Sequence, residues 1–314
     1  MEVARTIKIF DKEISIRKYG CKNFLMKEPL YIEKPRINIF VQVTNYCNAN
    51  CPFCIYHHTD LGKDAFNLKK FEEILNYFVS REDIDIGKLN FTGGEPVSSQ
   101  YFDDIICACM ESLDYTRKPE VTLNTNGLNL DKIIKYQDFL DNVGLSRHHY
   151  QDNKNYEIFR DTSIASGEDI KEMMSCIDDS NKWKMQLRCN LINGYICNYD
   201  AMIKYLEHAI ELGVHDCGFV TLAPNNKFCV EHQIDFNSLV KISENLIKTN
   251  GWKRLDDNNH ESVYCECANY MYSNKVGEIC KFYARLFCNN DNIDSILVYD
   301  GQYLRHGFGG RIIL

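Results

Sequence analysis

Three thiols stand close together in Cys47-Asn-Ala-Asn-Cys51-Pro-Phe-Cys54, where an apolar run from Asn38 to Val43 gives out. Three thiolates fall one short of a closed tetrahedral zinc site. They suit a four-iron, four-sulfur cluster with one iron left open to a further ligand. Half of a zinc knuckle, completed by a ligand elsewhere, would give the same local string. Further along comes Leu89-Asn-Phe-Thr-Gly93-Gly94-Glu95-Pro96, an apolar strand ending in Gly-Gly-Glu-Pro. Bare glycine backbone lets a ligand approach closely, and the carboxylate after it is set to accept from a cationic amine. Zinc needs neither feature.

With Phe53 before the last cysteine, the first motif reads CxxxCxΦC, and the second follows it in order. In these two motifs the chain resembles the radical S-adenosylmethionine (radical SAM) superfamily. The resemblance implies that Cys47, Cys51 and Cys54 hold a [4Fe-4S] cluster whose open iron is chelated by S-adenosyl-L-methionine. It further implies reductive cleavage of that cofactor and a 5'-deoxyadenosyl radical that takes hydrogen from a substrate. Phe53 and Ile55 are then expected to border the adenine, and Gly93, Gly94, Glu95 and Pro96 to hold the methionine amino end. A flavodoxin- or ferredoxin-type reductant is the implied electron source.

At 314 residues and 45% hydrophobic, the chain can bury a sizeable core as one large domain, with room for a small appendage. The net charge of −8 comes without a long run of Lys or Arg, so nothing reads as a footprint for nucleic acid. The stretch from Met1 to Glu13 carries charges inside every apolar window, which argues against a signal peptide or membrane anchor and for the cytoplasm. Fifteen cysteines are many for such a chain, but the odd number and missing export signal argue against a disulfide framework. Cys107, Cys109, Cys176 and Cys189 fall in predicted helices or strands and read as small core residues.

Residues 1–36 form a predicted β extension, a hairpin of Thr6–Phe10 and Glu13–Arg17, too short for an independent peptide-binding domain. Over residues 37–223, strands are predicted near 38–44, 88–92, 119–124, 142–147, 184–191 and 216–222. Helices are predicted near 67–80, 100–114, 130–140, 167–179 and 199–212. Such alternation implies parallel strands joined by right-handed crossovers, an α/β fold. The rhythm alone allows a doubly wound sheet; the resemblance implies a partial (β/α)6 barrel. Either architecture puts chemistry at the carboxyl ends of the strands.

The third strand ends in Asn124-Thr125-Asn126-Gly127, which alone would read as a turn. At this strand end the resemblance makes Thr125 and Asn126 contacts of the methionine or ribose part of the cofactor. The fourth ends in Leu145-Ser146-Arg147-His148-His149-Tyr150. Similar enzymes often carry a serine and, two residues later, an aspartate. Ser146 therefore fits as a cofactor contact, while His148 replaces the acid and implies different contacts there. An imidazole can donate, accept or carry charge near neutral pH, and His148, His149 and Tyr150 are expected to wall the mouth; one histidine facing solvent is the plainer alternative. On the fifth strand Arg188 and Asn190 share a face. An arginine inside a barrel needs an anion, either the cofactor carboxylate or a barrel glutamate. After the sixth strand, Asn225 and Asn226 either reach substrate or shape a loop.

Residues 224–314 form a cysteine-rich extension: one helix near Asn237–Thr249, then Cys265, Cys267, Cys280 and Cys288, then a hairpin about Asp300-Gly301. It resembles the auxiliary-cluster extension of the molybdenum-cofactor GTP cyclase family and of related peptide-modifying enzymes. Cys280 and Arg285-Leu286 agree with the cyclase pattern, but Tyr283 and His306 stand where its other cysteines would be. A second cluster drawn from Cys265, Cys267, Cys280 and Cys288 is one reading, free or zinc-bound thiols the other. Gly309-Gly310-Arg311 is similar to the glycine-rich end of the cyclases, followed here by apolar residues. If a thiol quenches the substrate radical, Cys217 or Cys229 is the expected donor. The resemblance favours a peptide substrate, to be epimerised, cross-linked or decarboxylated, over a nucleotide- or sugar-like small molecule. The rival from another class is a non-catalytic iron–sulfur or zinc protein.

Overall fold

A computed structural model describes residues 4–17, 34–55, 65–113, 118–254, 268–284 and 296–314. An antiparallel hairpin of β1 (Ala4–Ile9) and β2 (Lys12–Arg17) comes first, as predicted. The chain then alternates: β3 (Arg36–Thr44), α1 (Leu68–Val79), β4 (Asp85–Gly93), α2 (Phe102–Ser112), β5 (Glu120–Thr125), α3 (Asp131–Lys135) and β6 (Asn142–Ser146). It continues through α4 (Asp152–Phe159), α5 (Gly167–Cys176), β7 (Met185–Leu191), α6 (Tyr199–Glu211) and β8 (Asp216–Thr221). After these come α7 (Lys227–His232), α8 (Phe236–Asn250), β9 (Lys253–Arg254), β10 (Ala268–Ser273), β11 (Ile279–Ala284), β12 (Ile296–Tyr299) and β13 (Leu304–His306).

The six strands β3 to β8 pair in chain order and in parallel, the arrangement of a partial (β/α)6 barrel. The extension adds to both of its edges. Strand β11 pairs in parallel with β8, and β12 pairs in parallel with β3. Each docks by burial: Cys280 and Phe282 on one side, Leu297 and Tyr299 on the other, are fully buried. The Tyr299 hydroxyl also donates to the carbonyls of Asn67 and Gly301, tying the last hairpin to the start of α1. Gly301 takes φ +91° in the tight turn that Asp-Gly predicts.

Helix α1 shows why the outer layer forms. Asn67 caps it, its side chain accepting from the Lys70 N–H at 3.1 Å, and Phe71, Ile74, Leu75 and Phe78 recur on one face. Burying each such side chain contributes about 1.5–3 kcal/mol. Strand residues alternate between two faces. Ile39, Val41, Leu89, Phe91, Leu123 and Leu187 join the hydrophobic core, whereas Phe40, Asn90, Thr92, Asn124 and Arg188 turn the other way and line a cavity. Polar groups on this inner face are partnered lower down, as in Lys88–Glu120 at 2.8 Å and Lys281–Asp216 at 2.5 Å.

Helices α4 and α7 were not expected from the sequence. Helix α4, Asp-Asn-Lys-Asn-Tyr-Glu-Ile-Phe, carries too few apolar residues to show a helical period. Helix α3 is shorter than predicted, and turns with Phe139 and Leu140 N–H donating to the Tyr136 carbonyl take over from it.

Candidate active site

The loop carrying Cys47, Cys51 and Cys54 leaves the carboxyl end of β3 and is pinned from several sides. Tyr46 N–H donates to Thr44 Oγ1 at 2.9 Å, Asn50 N–H to the Phe159 carbonyl at 2.9 Å, and Asn226 Nδ2 to the Pro52 carbonyl at 3.0 Å. Ala49 packs beside Phe159 and Ile164. The three thiols stay partly exposed. Burial pushes the Cys47 thiol up to about 12 and raises Cys51 as well, so neither ionises unaided near neutral pH. A metal centre offsets that cost, since the thiolate is the ligand. Asn126 Nδ2 lies 3.7 Å from Cys47 Sγ, a donor for a ligating sulfur. Among the described residues no three His, Cys, Asp or Glu side chains converge as a single ion would require. Three partly exposed thiols on one short loop, with an amide donor beside them, are residues that fit an iron–sulfur cluster.

The glycine pair ending β4 has a different immediate task from the one its sequence suggested. Gly93 takes φ +121°, and a Cβ there would lie 2.4 Å from the Thr44 carbonyl oxygen; on Gly94 it would lie 1.9 Å from that of Tyr46. Gly94 N–H donates to Thr44 O at 2.7 Å and Glu95 N–H to Tyr46 O at 2.8 Å. The backbone that approaches these glycines is the chain's own, entering the cysteine loop. The two motifs are thus packed on each other.

Glu95 also departs from expectation. Its carboxylate is only 1% exposed and faces inward, joining the ends of β4 and β5. It accepts from Thr125 Oγ1 at 2.5 Å, from Asn126 N–H at 2.6 Å and from Val97 N–H at 3.4 Å. Burial raises its pKa to about 7, with these hydrogen bonds holding it down in part. The side chain is a buried brace, and Thr125 and Asn126 are aligned by it. Pro96 starts the short 3-10 turn Pro96–Ser98 that follows.

Beside the cysteine loop lies a cavity of about 870 Å³. Cys54 and Ile55 border one part, Asn90, Thr92, Asn124 and Arg188 a polar wall, and Phe40 and Phe308 an aromatic one. The two rings meet edge to face at 5.0 Å. Arg188 donates to the side-chain oxygens of Gln186, Asn124 and Asn142, lying across β6 where Gly144 leaves room. A Cβ on Gly144 would sit 2.4 Å from Arg188 Nε. These amides steer the guanidinium; sequence reasoning offered only an anion for it.

Residues 41–226, more than half of the chain, match the radical SAM superfamily. The chain belongs to that superfamily. Among curated proteins it is similar to the GTP 3',8-cyclase of Helicobacter pylori (strain ATCC 700392 / 26695), 27% identical over 171 residues, 54% of this chain and 51% of that protein. It is also similar to that of Clostridium botulinum (strain Okra / Type B1), 26% identical over 142 residues, 45% of this chain and 42% of that one. The chain thus spans about half the length or less of these relatives. Among solved structures it resembles Streptococcus suis SuiB bound to S-adenosylmethionine, with TM-score 0.60 and 11% identity over 88% of this chain and 60% of that one. SuiB bound to its precursor peptide SuiA gives 0.55 and 17% over 69% and 46%. The anSMEcpe complex with AdoMet and a peptide gives 0.51 and 15% over 68% and 60%. At these identities the likeness is one of fold.

In this member of the radical SAM superfamily the histidines expected to wall the mouth sit one layer back. Neither faces solvent: His148 is 4% exposed and His149 8%. Burial pushes His148 down to about 3 and His149 to about 4, so both are neutral at physiological pH. His148 stacks on Phe159 at 4.8 Å and meets Phe53 edge-on at 4.9 Å, while its Nδ1 accepts from Asn190 N–H. It buttresses Phe53 from behind. His149 stacks on Tyr150 and accepts from Gln151 N–H. Ser146 ends β6 on the same face as Arg188, its register partner.

The two cysteines named as hydrogen donors part company. Cys217 is the second residue of β8, at the end away from the mouth and in the hydrophobic core, so it cannot meet a substrate. Cys229 is buried near the site, its Sγ 3.7 Å from the Phe53 carbonyl. Cys280 is likewise a core residue, fully buried opposite Cys217, which removes it from any exposed ligand set. Cys265, Cys267 and Cys288 lie outside the described residues. No helix among the described residues is long and apolar enough to cross a membrane.

Proposed function

We propose that the protein reductively cleaves S-adenosyl-L-methionine at a [4Fe-4S] cluster and abstracts hydrogen from a peptide, modifying the residue that enters the cavity. The observation that carries this reading is the cavity itself, which runs from Cys54 and Ile55 to Asn124 and Arg188. When bound, cluster and cofactor supply one electron and a 5'-deoxyadenosyl radical. The chain's share is to bind, orient and exclude water. Cys47, Cys51 and Cys54 would hold the cluster, Phe53 and Ile55 border the adenine, and the Gly93–Gly94 backbone with Thr125, Asn126 and Ser146 receive the rest of the cofactor. Arg188 is positioned by three side-chain amides to receive an anion, the cofactor carboxylate or a group of the substrate.

A peptide is favoured because SuiB and anSMEcpe, which share the fold, were each solved with a peptide bound. The cyclase relatives support a second reading, the same chemistry on a nucleotide. Fifteen cysteines suit a reducing, cytoplasmic setting with a flavodoxin- or ferredoxin-type donor. Anaerobic reconstitution followed by reduction should yield iron–sulfur absorbance and 5'-deoxyadenosine; a colourless, zinc-loaded protein would defeat the proposal. GTP consumption coupled to deoxyadenosine formation would favour the nucleotide over the peptide.

A further inference from the structure

Asn226 stands where three parts of the molecule meet. It caps α7, its Oδ1 accepting from Cys229 N–H at 2.9 Å. Its Nδ2 donates to the carbonyl of Pro52, 174 positions earlier and between Cys51 and Cys54. It also lines the cavity beside Cys54 and Ile55. One residue further along the loop, the Phe53 carbonyl receives the Cys229 thiol at 3.7 Å. Two successive carbonyls of the cysteine loop are therefore held from the start of α7.

The choice of residue is informative. A helix cap needs only an acceptor, and Ser, Thr or Asp would serve as well. Serine and threonine can also accept and donate, but from a single short-reaching oxygen; asparagine puts acceptor and donor on two atoms that reach in two directions. The second contact is what the cap does not explain.

We propose that Asn226 is a positioning residue of the radical SAM site: through Pro52 it fixes the Cys54 end of the loop beside the cavity, where this thiol would help hold the cluster. The claim rests on the function proposed above for its meaning, but its geometry stands apart from it. Occupancy of the cavity and placement of the third cluster thiol then share one side chain. Losing this hydrogen bond should loosen Cys54 together with the adjoining Cys51, while Cys47, held by Asn126 and the β4 glycines, stays in place.

The test compares Asn226→Asp and Asn226→Ser, which keep a cap acceptor but give Pro52 no donor, the first by chemistry and the second by length, with Asn226→Ala, which loses both contacts. Alkylation of the apo-protein by iodoacetamide, read by peptide mass spectrometry, should be about fivefold faster at Cys54 in the Asp and Ser variants and unchanged at Cys47, the scale of one net hydrogen bond. Their melting temperatures should fall by no more than a few degrees, the scale of that one bond. After reconstitution and reduction, the change that added S-adenosylmethionine makes in the cluster's EPR spectrum should be diminished in both. Wild-type alkylation and EPR response in both variants, with only the Ala variant altered, would reduce Asn226 to a helix cap and overturn the proposal. If wild type itself shows no response to S-adenosylmethionine, the functional reading fails while the alkylation contrast still decides the clamp.

Discussion

Two trios of cysteines face different worlds in this molecule. Cys47, Cys51 and Cys54 sit on a loop at the carboxyl ends of the strands, partly exposed, beside amide donors and a cavity. Cys189, Cys217 and Cys280 lie on the neighbouring strands β7, β8 and β11, buried in the core. Desolvation raises Cys189 and Cys280 well above the usual thiol range, and it raises Cys47 and Cys51 too, so burial alone does not separate the trios. The residue type is the same, and what differs is access: the loop thiols are partly exposed beside an amide donor, the others packed between strands. A thiol becomes a ligand where loop backbone and polar neighbours leave it reachable; otherwise it is a small hydrophobe.

Alanine at Cys47, Cys51 or Cys54 should abolish cofactor cleavage, read as 5'-deoxyadenosine after reconstitution. Alanine at Cys189, Cys217 or Cys280 should leave it intact. Deoxyadenosine from a loop variant, or its loss in a core variant that folds, breaks the comparison.

Gly94→Ala comes next in size, because the added carbon would fall 1.9 Å from the Tyr46 carbonyl. The loop must shift, so iron content should drop while the circular dichroism of the barrel persists, at a cost of about 3 kcal/mol or more in unfolding free energy. Glu95→Gln should cost less, about 1–3 kcal/mol, since the glutamine NH₂ would oppose either the Thr125 hydroxyl or the Asn126 N–H. Denaturant titration checks both values.

Serine in place of Cys217 or Cys280 sharpens the contrast from the other side, expected to destabilise by about 1–3 kcal/mol through a buried hydroxyl without changing deoxyadenosine yield. A further contrast is in pH. Glu95 has a pKa raised from 4.5 to about 7, so its share of stability is present below about 4.5 and is lost as pH rises through about 7. His148 and His149, lowered from 6.5 to about 3 and about 4, act oppositely: their neutral burial costs nothing above 6.5 and destabilises as pH falls below it. Melting curves of Glu95→Gln should therefore lose the downward slope between pH 4.5 and 7 that this one carboxyl adds.

Legibility followed distance along the chain. The cysteine spacing and the Gly-Gly-Glu-Pro string are local, and the six barrel strands announce themselves by apolar runs between amphipathic helices. Asp300-Gly301 marked the last hairpin because the turn demands that chemistry. Helix α4 was illegible, yet its last residue Phe159 meets both His148 and Asn50. Residues Phe308 and Gly144 carried no signal, since an aromatic in a glycine-rich stretch and a glycine in a strand gain meaning only from what lies across the sheet. The extension read as a tail, because nothing local says that β11 and β12 would take opposite edges.

What the sequence by itself determined is the spacing of the cysteine and Gly-Gly-Glu-Pro motifs and the strand–helix rhythm, both set by neighbours a few positions apart and by side-chain periodicity. Only the tertiary structure decided that the glycines meet the carbonyls of Thr44 and Tyr46, that Glu95 turns inward to brace β5, and that Asn226 reaches Pro52. Those contacts join residues far apart in the chain, and the order and register of strands in the sheet, which no local pattern encodes, bring them together.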